Sequence, residues 1–157
     1  LTDSPDEARR YSLRLLSYRA RSEKELRDRL EKKGFSARSI SPVMQSLKDA
    51  KLLDDAALAE QLRRQAREIK LLGYGSAKAY MLKRGLPRDI VEGALEFDGQ
   101  EELRSARKLL DKKLKSMGNY LTPGERKKLW DFLARRGYSF GTIRDVLRDV
   151  HFEETGE

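Results

Sequence analysis

Apolar residues recur three and four positions apart along this chain, between charged runs, and that spacing predicts amphipathic helices from end to end. Ala8, Tyr11, Leu15 and Tyr18 form one stripe, so a first helix is expected to run to about Tyr18. Leu26 and Leu30 share the inner face of a short second helix, and Ile40, Val43, Met44 and Leu47 mark a third. Leu58, Leu62, Ala66 and Ile69 predict a long helix, Ala77, Met81 and Leu82 a short one, and Ile90, Val91, Ala94 and Leu95 another. A long basic helix follows with Ala106, Leu109, Leu110 and Leu114, then one with Leu129, Trp130, Phe132 and Leu133. The last should bury Ile143, Val146, Leu147 and Val150. No stretch shows the strict alternation of a half-buried strand.

Start and stop signals agree with these elements. Ser4-Pro5-Asp6-Glu7, Ser22 with Glu25, and Thr122-Pro123-Gly124-Glu125 read as caps and capping boxes. Asp54 or Asp55 can cap the fourth helix, and Pro87 suits a helix's first position. Pro42 is expected in the first turn of its helix, since deeper placement removes a backbone bond. Gly73-Tyr74-Gly75 reads as a turn and Gly118-Asn119 as a break. The tail Glu153-Glu154-Thr155-Gly156-Glu157 has nothing to bury and is expected to fray.

The helices also repeat. Gly34, Gly85 and Gly137 lie 51 and 52 residues apart, each after a short helix and before an apolar residue, Phe35, Leu86 or Tyr138. Leu26, Ala77 and Leu129 precede their glycine by eight, and Leu30, Met81 and Leu133 by four. Ile40, Ile90 and Ile143 follow it by six, five and six, a slip to be absorbed beside Pro87. The expected fold is therefore all-α, an elongated tandem array of three-helix repeats with about nine principal helices. The repeats are placed at 4–52, 53–96 and 97–151, with a tail at 152–157.

Composition shifts the emphasis from pocket to surface. Apolar and charged residues each make up 38% of 157 residues, and mean hydropathy is −0.76, values that suit a molecule with much surface per residue. Cysteine is absent, which excludes disulfide and thiolate chemistry, and the one histidine, His151, is too isolated for a metal site or acid–base work. No apolar run approaches membrane length. The first residue is Leu1 rather than methionine, so the natural N-terminus is expected to be missing here, which limits any targeting argument; a cytoplasmic protein is the expectation. Net charge is +8 and unevenly placed: Arg104 to Arg148 holds 13 basic against 4 acidic residues, the remainder 21 against 22. That asymmetry favours a polyanionic partner, or a protein assembled on one.

Several stretches together resemble the RecX family of bacterial regulators of the RecA recombinase. They are Arg21-Ser22-Glu23-Lys24-Glu25-Leu26-Arg27 with Lys33-Gly34-Phe35, and Leu52-Leu53-Asp54-Asp55-Ala56-Ala57-Leu58-Ala59. Arg67 through Gly73-Tyr74-Gly75-Ser76-Ala77, the Arg84-Gly85-Leu86 turn, and Phe132-Leu133-Ala134-Arg135-Arg136-Gly137-Tyr138-Ser139 complete the set. Leu58 stands where members usually have phenylalanine, and Gly75-Ser76 where they often have Gly-Pro. The resemblance implies three tandem three-helix repeats, a cytoplasmic location, and binding to a RecA filament with inhibition of ATPase and strand exchange. It supplies no catalytic constellation.

The residues themselves point to contact surfaces rather than catalysis. Asp54-Asp55 does not converge as metal ligands would, and Gly73-Tyr74-Gly75 lacks the Gly-Lys-Ser/Thr of a nucleotide loop; no cofactor, metal or catalytic residue is expected. Lys112, Lys113 and Lys115 end one helix, where cations complement the dipole; Arg126, Lys127 and Lys128 open another, where they do not. Arg135, Arg136, Arg144 and Arg148 add charge in the same repeat. In the middle repeat Arg63, Arg64, Arg67 and Lys70 are expected as an outward stripe, with Lys78 and Arg84 beside the glycine turns and Tyr74 as a contact or stacking residue. These cations read either as solvated faces or as contacts to phosphate or an acidic partner, and Trp130 either as core or as an exposed anchor. The partners in view are the RecA filament and DNA, the latter through backbone contacts, with no membrane and a monomeric protein. The competing function is a sequence-nonspecific helical DNA-binding protein that acts by occupying DNA.

Overall fold

The computed structural model describes residues 2–118 and 121–153. Helix α1 spans Pro5–Tyr18; the Ser4 hydroxyl accepts the Glu7 N–H at 3.2 Å and Pro5 opens the first turn. Helix α2 spans Glu23–Lys33, where the capping box between Ser22 and Glu25 forms in both directions and Gly34, at φ 106°, ends the helix. Then come α3 (Ala37–Asp49), α4 (Asp55–Arg64), a π-helical turn (Gln65–Ile69), α5 (Tyr74–Lys83) and α6 (Arg88–Ala94). The series closes with α7 (Gly99–Lys115), α8 (Pro123–Arg135) and α9 (Phe140–Leu147). Among the described residues there are nine α-helices and no strand, the expected all-α class. Asn119 and the tail at 154–157 lie outside the described residues.

The helices fall into two compact units. The first holds the chain through Leu62 and Met81–Ala94; the second holds Arg63–Tyr80 and the chain from Leu95 onward. In the first, α1, α2 and α3 pack mutually around Leu15, Leu26, Leu30, Ile40, Val43, Met44 and Leu47. In the second, α7, α8 and α9 do the same around Leu109, Leu110, Leu129, Leu133, Ile143, Val146 and Leu147. Each fully buried leucine or isoleucine contributes about 1.5–3 kcal/mol, far more than the intrinsic propensity of such short helices. The middle repeat is shared: Leu58, Leu62, Met81 and Val91 are buried residues of the first unit, and Ala66, Leu71, Ala77 and Leu95 of the second.

The glycine register organises both units. Leu26, Ala77 and Leu129, with Leu30, Met81 and Leu133, are all completely buried, and Phe35, Leu86 and Tyr138 nearly so. Gly34, Gly85 and Gly137 have φ of 106°, 82° and 94°, the left-handed region that glycine enters without a Cβ clash. Two of these turns are also close fits. In the first unit the Ser22 hydroxyl donates to the Arg84 carbonyl at 2.6 Å, and a Cβ on Gly85 would lie 2.8 Å from that hydroxyl oxygen. In the second unit the Gly73 N–H donates to the Arg136 carbonyl at 2.7 Å, and a Cβ on Gly137 would lie 2.6 Å from the Ser76 nitrogen.

The structure corrects several local expectations. The buried position six residues after Gly85 is Val91, not the half-buried Ile90, so the repeat has no slip there. Tyr18 is 76% exposed: it is the last residue of α1, and the chain leaves it extended at Arg19. Pro42 sits beyond the first turn of α3; it is exposed, so the carbonyl it leaves without an intrahelical donor faces solvent. Tyr74 and Gly75 form the first turn of α5 rather than a free turn. Asp54 caps α4 through the Ala57 N–H at 3.1 Å, whereas buried Asp55 accepts the Glu23 N–H of α2 at 3.0 Å. Thr122 is the N-cap of α8 but its hydroxyl makes no capping bond.

Candidate polyanion interface

The largest departure from the sequence pattern is at the π turn. Here the Lys70 N–H bonds back to the Gln65 carbonyl and the Leu72 N–H to the Ala66 carbonyl, both at 2.9 Å. One residue more than an α-turn needs rotates the succeeding side chains by about 100°. Ile69 consequently turns outward, 70% exposed, and Arg67 turns inward, 4% exposed. Arg67 is thus not part of an outward stripe. Its guanidinium lies 2.7 Å from the Glu102 carboxylate, itself 2% exposed, and donates to the Leu72 carbonyl at 2.6 Å. Glu102 also accepts the Tyr74 N–H at 3.1 Å. Burial pushes the Glu102 carboxyl above its ordinary range, against the pull of the Arg67 charge and the Tyr74 N–H. Beside this pair the Tyr138 hydroxyl donates to the Leu71 carbonyl at 2.7 Å, and burial pushes its pKa up to about 12.

Two more of the expected contact residues serve internal junctions. Arg84 is ion-paired with Glu25 at 3.1 Å and donates to the Ala20 carbonyl at 3.0 Å. Burial pushes Glu25 up, but hydrogen bonds from Arg84 and the Ser22 N–H, and the charges of Arg84 and Arg19, outweigh it and hold the carboxyl below its usual range. Arg136 donates to the Lys70 carbonyl, lies over the Phe132 ring, and has a buried Nε with no hydrogen-bond partner. Arg63 and Lys78 are half-buried, each with its own interaction. Tyr74 is half-buried, edge-on to Phe97 at 5.6 Å, so its ring is held within the second unit.

The cations left at the surface belong mainly to the third repeat. Lys112, Lys113 and Lys115 are exposed at the end of α7, and Arg126, Lys127 and Lys128 near the start of α8. Lys113 lies 5.1 Å from the Phe132 ring centre, Arg126 lies 5.7 Å from that of Phe152, and Lys127 pairs with Asp131 at 3.4 Å. Arg135 and Arg144 are exposed, and Arg148 pairs with Asp145 at 3.1 Å. Arg64 and Lys70 are exposed in the middle repeat, the latter 4.4 Å over Tyr80. Exposed ion pairs of this kind contribute at most about 1 kcal/mol, so they leave the cations available to a partner. Half-buried Trp130 packs on Phe140 at 5.8 Å, covering the edge of the core.

Sequence reasoning missed the Arg67–Glu102 pair because nothing in a helical pattern announces a π turn. It also missed the first repeat. Residues 4–52 carry 13 basic against 7 acidic side chains, a surplus hidden when they are averaged with the nearly neutral middle repeat and the acidic segments at 97–103 and 149–157. Among the described residues no group of acidic, histidine or cysteine side chains could hold a metal, and no helix is long and apolar enough to cross a membrane.

Fold and surface together define a helical repeat protein built of three-helix modules, with exposed cations concentrated in the first and third. Family models for the first and third three-helix domains of RecX match residues 8–47 and 100–147, the two mutually packed helix triplets. The chain is 35% identical to the regulatory protein RecX of Chlorobaculum tepidum, over 92% of this chain and 89% of that protein. It is 32% identical to the regulatory protein RecX of Amycolatopsis mediterranei, over 90% and 83% respectively. The crystal structure of RecX from Lactobacillus salivarius superposes with a TM-score of 0.76 at 24% identity, covering 96% of this chain and 98% of that one. This chain belongs to the RecX family of regulatory proteins.

Proposed function

We propose that this protein is a non-enzymatic regulator that engages the RecA nucleoprotein filament and inhibits the recombinase's ATPase and strand exchange, acting as a cytoplasmic monomer. Membership of a family of regulatory proteins across nearly the whole chain carries the reading. The repeats at 4–52, 53–96 and 97–151 serve as successive contact modules, and contact with neighbouring filament subunits obstructs the movements coupled to ATP turnover. Exposed Lys112, Lys113, Lys115, Arg126, Lys127 and Lys128 suit phosphate or acidic filament surfaces. The test is recombinase ATPase on single-stranded DNA with this protein and excess competitor DNA. Persistent inhibition is expected; none, or inhibition abolished by a modest DNA excess, rejects filament action.

One observation favours the second reading, occupation of DNA itself. Arg126 closes the first turn of α8, where the helix dipole disfavours a cation and a phosphate would offset the cost, with Lys127 and Lys128 just beyond it. Anisotropy titrations over a salt series would then show steep salt dependence without sequence preference. Salt-insensitive binding rejects it.

A further inference from the structure

We propose that the first repeat carries a distinct binding site for a single-stranded polynucleotide, a cradle between α1 and α2 centred on Tyr11; this rests on the reading of the protein as acting on nucleoprotein. Tyr11 is a half-buried residue of α1 whose ring tilts against Phe35 with centres 6.2 Å apart. The Arg14 guanidinium lies 5.5 Å from the Tyr11 ring centre and the Lys33 ammonium 5.4 Å from it. Two open hollows share this tyrosine. One, of about 350 Å³, is lined by Tyr11, Arg29, Lys32 and Lys33; the other, of about 360 Å³, by Glu7, Arg10, Tyr11 and Arg14.

The charge here is poorly neutralised. Arg10 pairs with Glu7 at 3.1 Å, but none of Arg14, Arg29, Lys32 and Lys33 has a carboxylate at ion-pair distance among the described residues. The C-terminal end of α2 accounts for Lys32 and Lys33 through the helix dipole. It does not account for Arg14 and Arg29, which come to the same tyrosine from two different helices. An acidic peptide would satisfy the cations but offers nothing to the ring. A polynucleotide offers both phosphates and flat base faces, and only an unpaired strand exposes those faces to Tyr11.

The test uses the full chain and labelled oligothymidylate, a matched duplex and polyglutamate, titrated over a salt series. Arg14→Gln with Arg29→Gln should weaken single-strand binding and flatten the log–log salt slope by about 1.4, the value for two lost phosphate contacts. Tyr11→Leu, which keeps an apolar contact for Phe35, should cost about fivefold or more on the single strand and little on duplex. Arg126→Gln with Lys128→Gln serves as the third-repeat control, and circular dichroism checks folding. Unchanged affinity and slope in the folded Arg14/Arg29 variant overturn the inference while leaving recombinase inhibition intact as a separate readout. Loss on polyglutamate alone assigns the site to an acidic protein and overturns it. Equal loss from Tyr11→Leu on both DNA forms overturns the single-strand assignment. Failure of the unaltered protein to bind any DNA at low salt overturns the nucleic-acid reading as a whole.

Discussion

Glu102→Ala should be among the most damaging single substitutions in the second unit. It leaves the Arg67 guanidinium, 4% exposed, without its 2.7 Å carboxylate, and the Tyr74 N–H without its 3.1 Å acceptor. Removing one member of a buried pair costs about 3–5 kcal/mol. Glu101 lies 3.7 Å from Arg67 and is partly exposed, so it recovers some of that charge and places the loss nearer the lower figure. With a urea dependence of about 1.5 kcal/mol per molar, the midpoint should fall by about 2–3 M. The single tryptophan, Trp130, lies in this unit against Phe140, so its fluorescence reads the transition there while far-UV dichroism reads both units. Glu101→Ala is the control and should cost under about 1 kcal/mol. Arg67→Met combined with Glu102→Leu should recover most of the loss, because an apolar pair carries no uncompensated charge. A Glu102→Ala midpoint within about 0.5 M of the unaltered protein would refute the inward placement of Arg67 and the π turn that causes it.

The glycine turns should respond unequally. Gly137→Ala and Gly73→Ala, whose new methyls meet backbone of the same unit, should cost over about 2 kcal/mol, against about 1 for Gly34→Ala, which meets open space, as read by thermal melts. Glu25 is held below its ordinary range when folded, so the first unit should lose stability as pH falls below about 4.3, and Arg84→Gln should flatten that acid limb in pH-dependent urea titrations. Tyr138, raised to about 12, keeps its proton when the unfolded phenol has lost it, so stability should fall as pH climbs from about 10 to 12. Tyr138→Phe should remove that slope in alkaline Trp130 unfolding curves. Reversing Arg126, Lys127, Arg135 and Arg144 to glutamate should weaken binding to recombinase filaments and DNA alike; wild-type affinity in a folded variant would return those cations to the solvent.

Most of the fold is legible in the sequence because it depends on local spacing. Distance to a glycine places Leu26, Leu30, Leu129 and Leu133 correctly, and the capping pattern does the same for Ser22 with Glu25. Ile69 and Arg67 are misplaced for one reason: helical counting assumes a constant 3.6 residues per turn, and the π turn breaks it. Ile90 is preferred to Val91 because isoleucine matches its counterparts by type, whereas burial follows position. At the interface, sequence identifies the exposed cations of α7 and α8. It does not tell that Arg84 is bound to a carboxylate 59 residues away, a pairing set by tertiary packing.

The π turn makes the helix from Asp55 to Ile69 a text with two reading frames. Up to Ala66 the frame is that of an ordinary helix, with Leu58 and Leu62 inside; beyond it every side chain is one place out of phase. Forcing ordinary α-helical bonding on the same residues would restore the phase, swing the arginine outward and the isoleucine inward, and leave Glu102 facing no cation. Deleting one residue of the turn would instead leave the isoleucine outside, because everything beyond it would keep its direction. The wider turn, rather than a periodic pattern of side chains, is what keeps the buried charges of the second unit together.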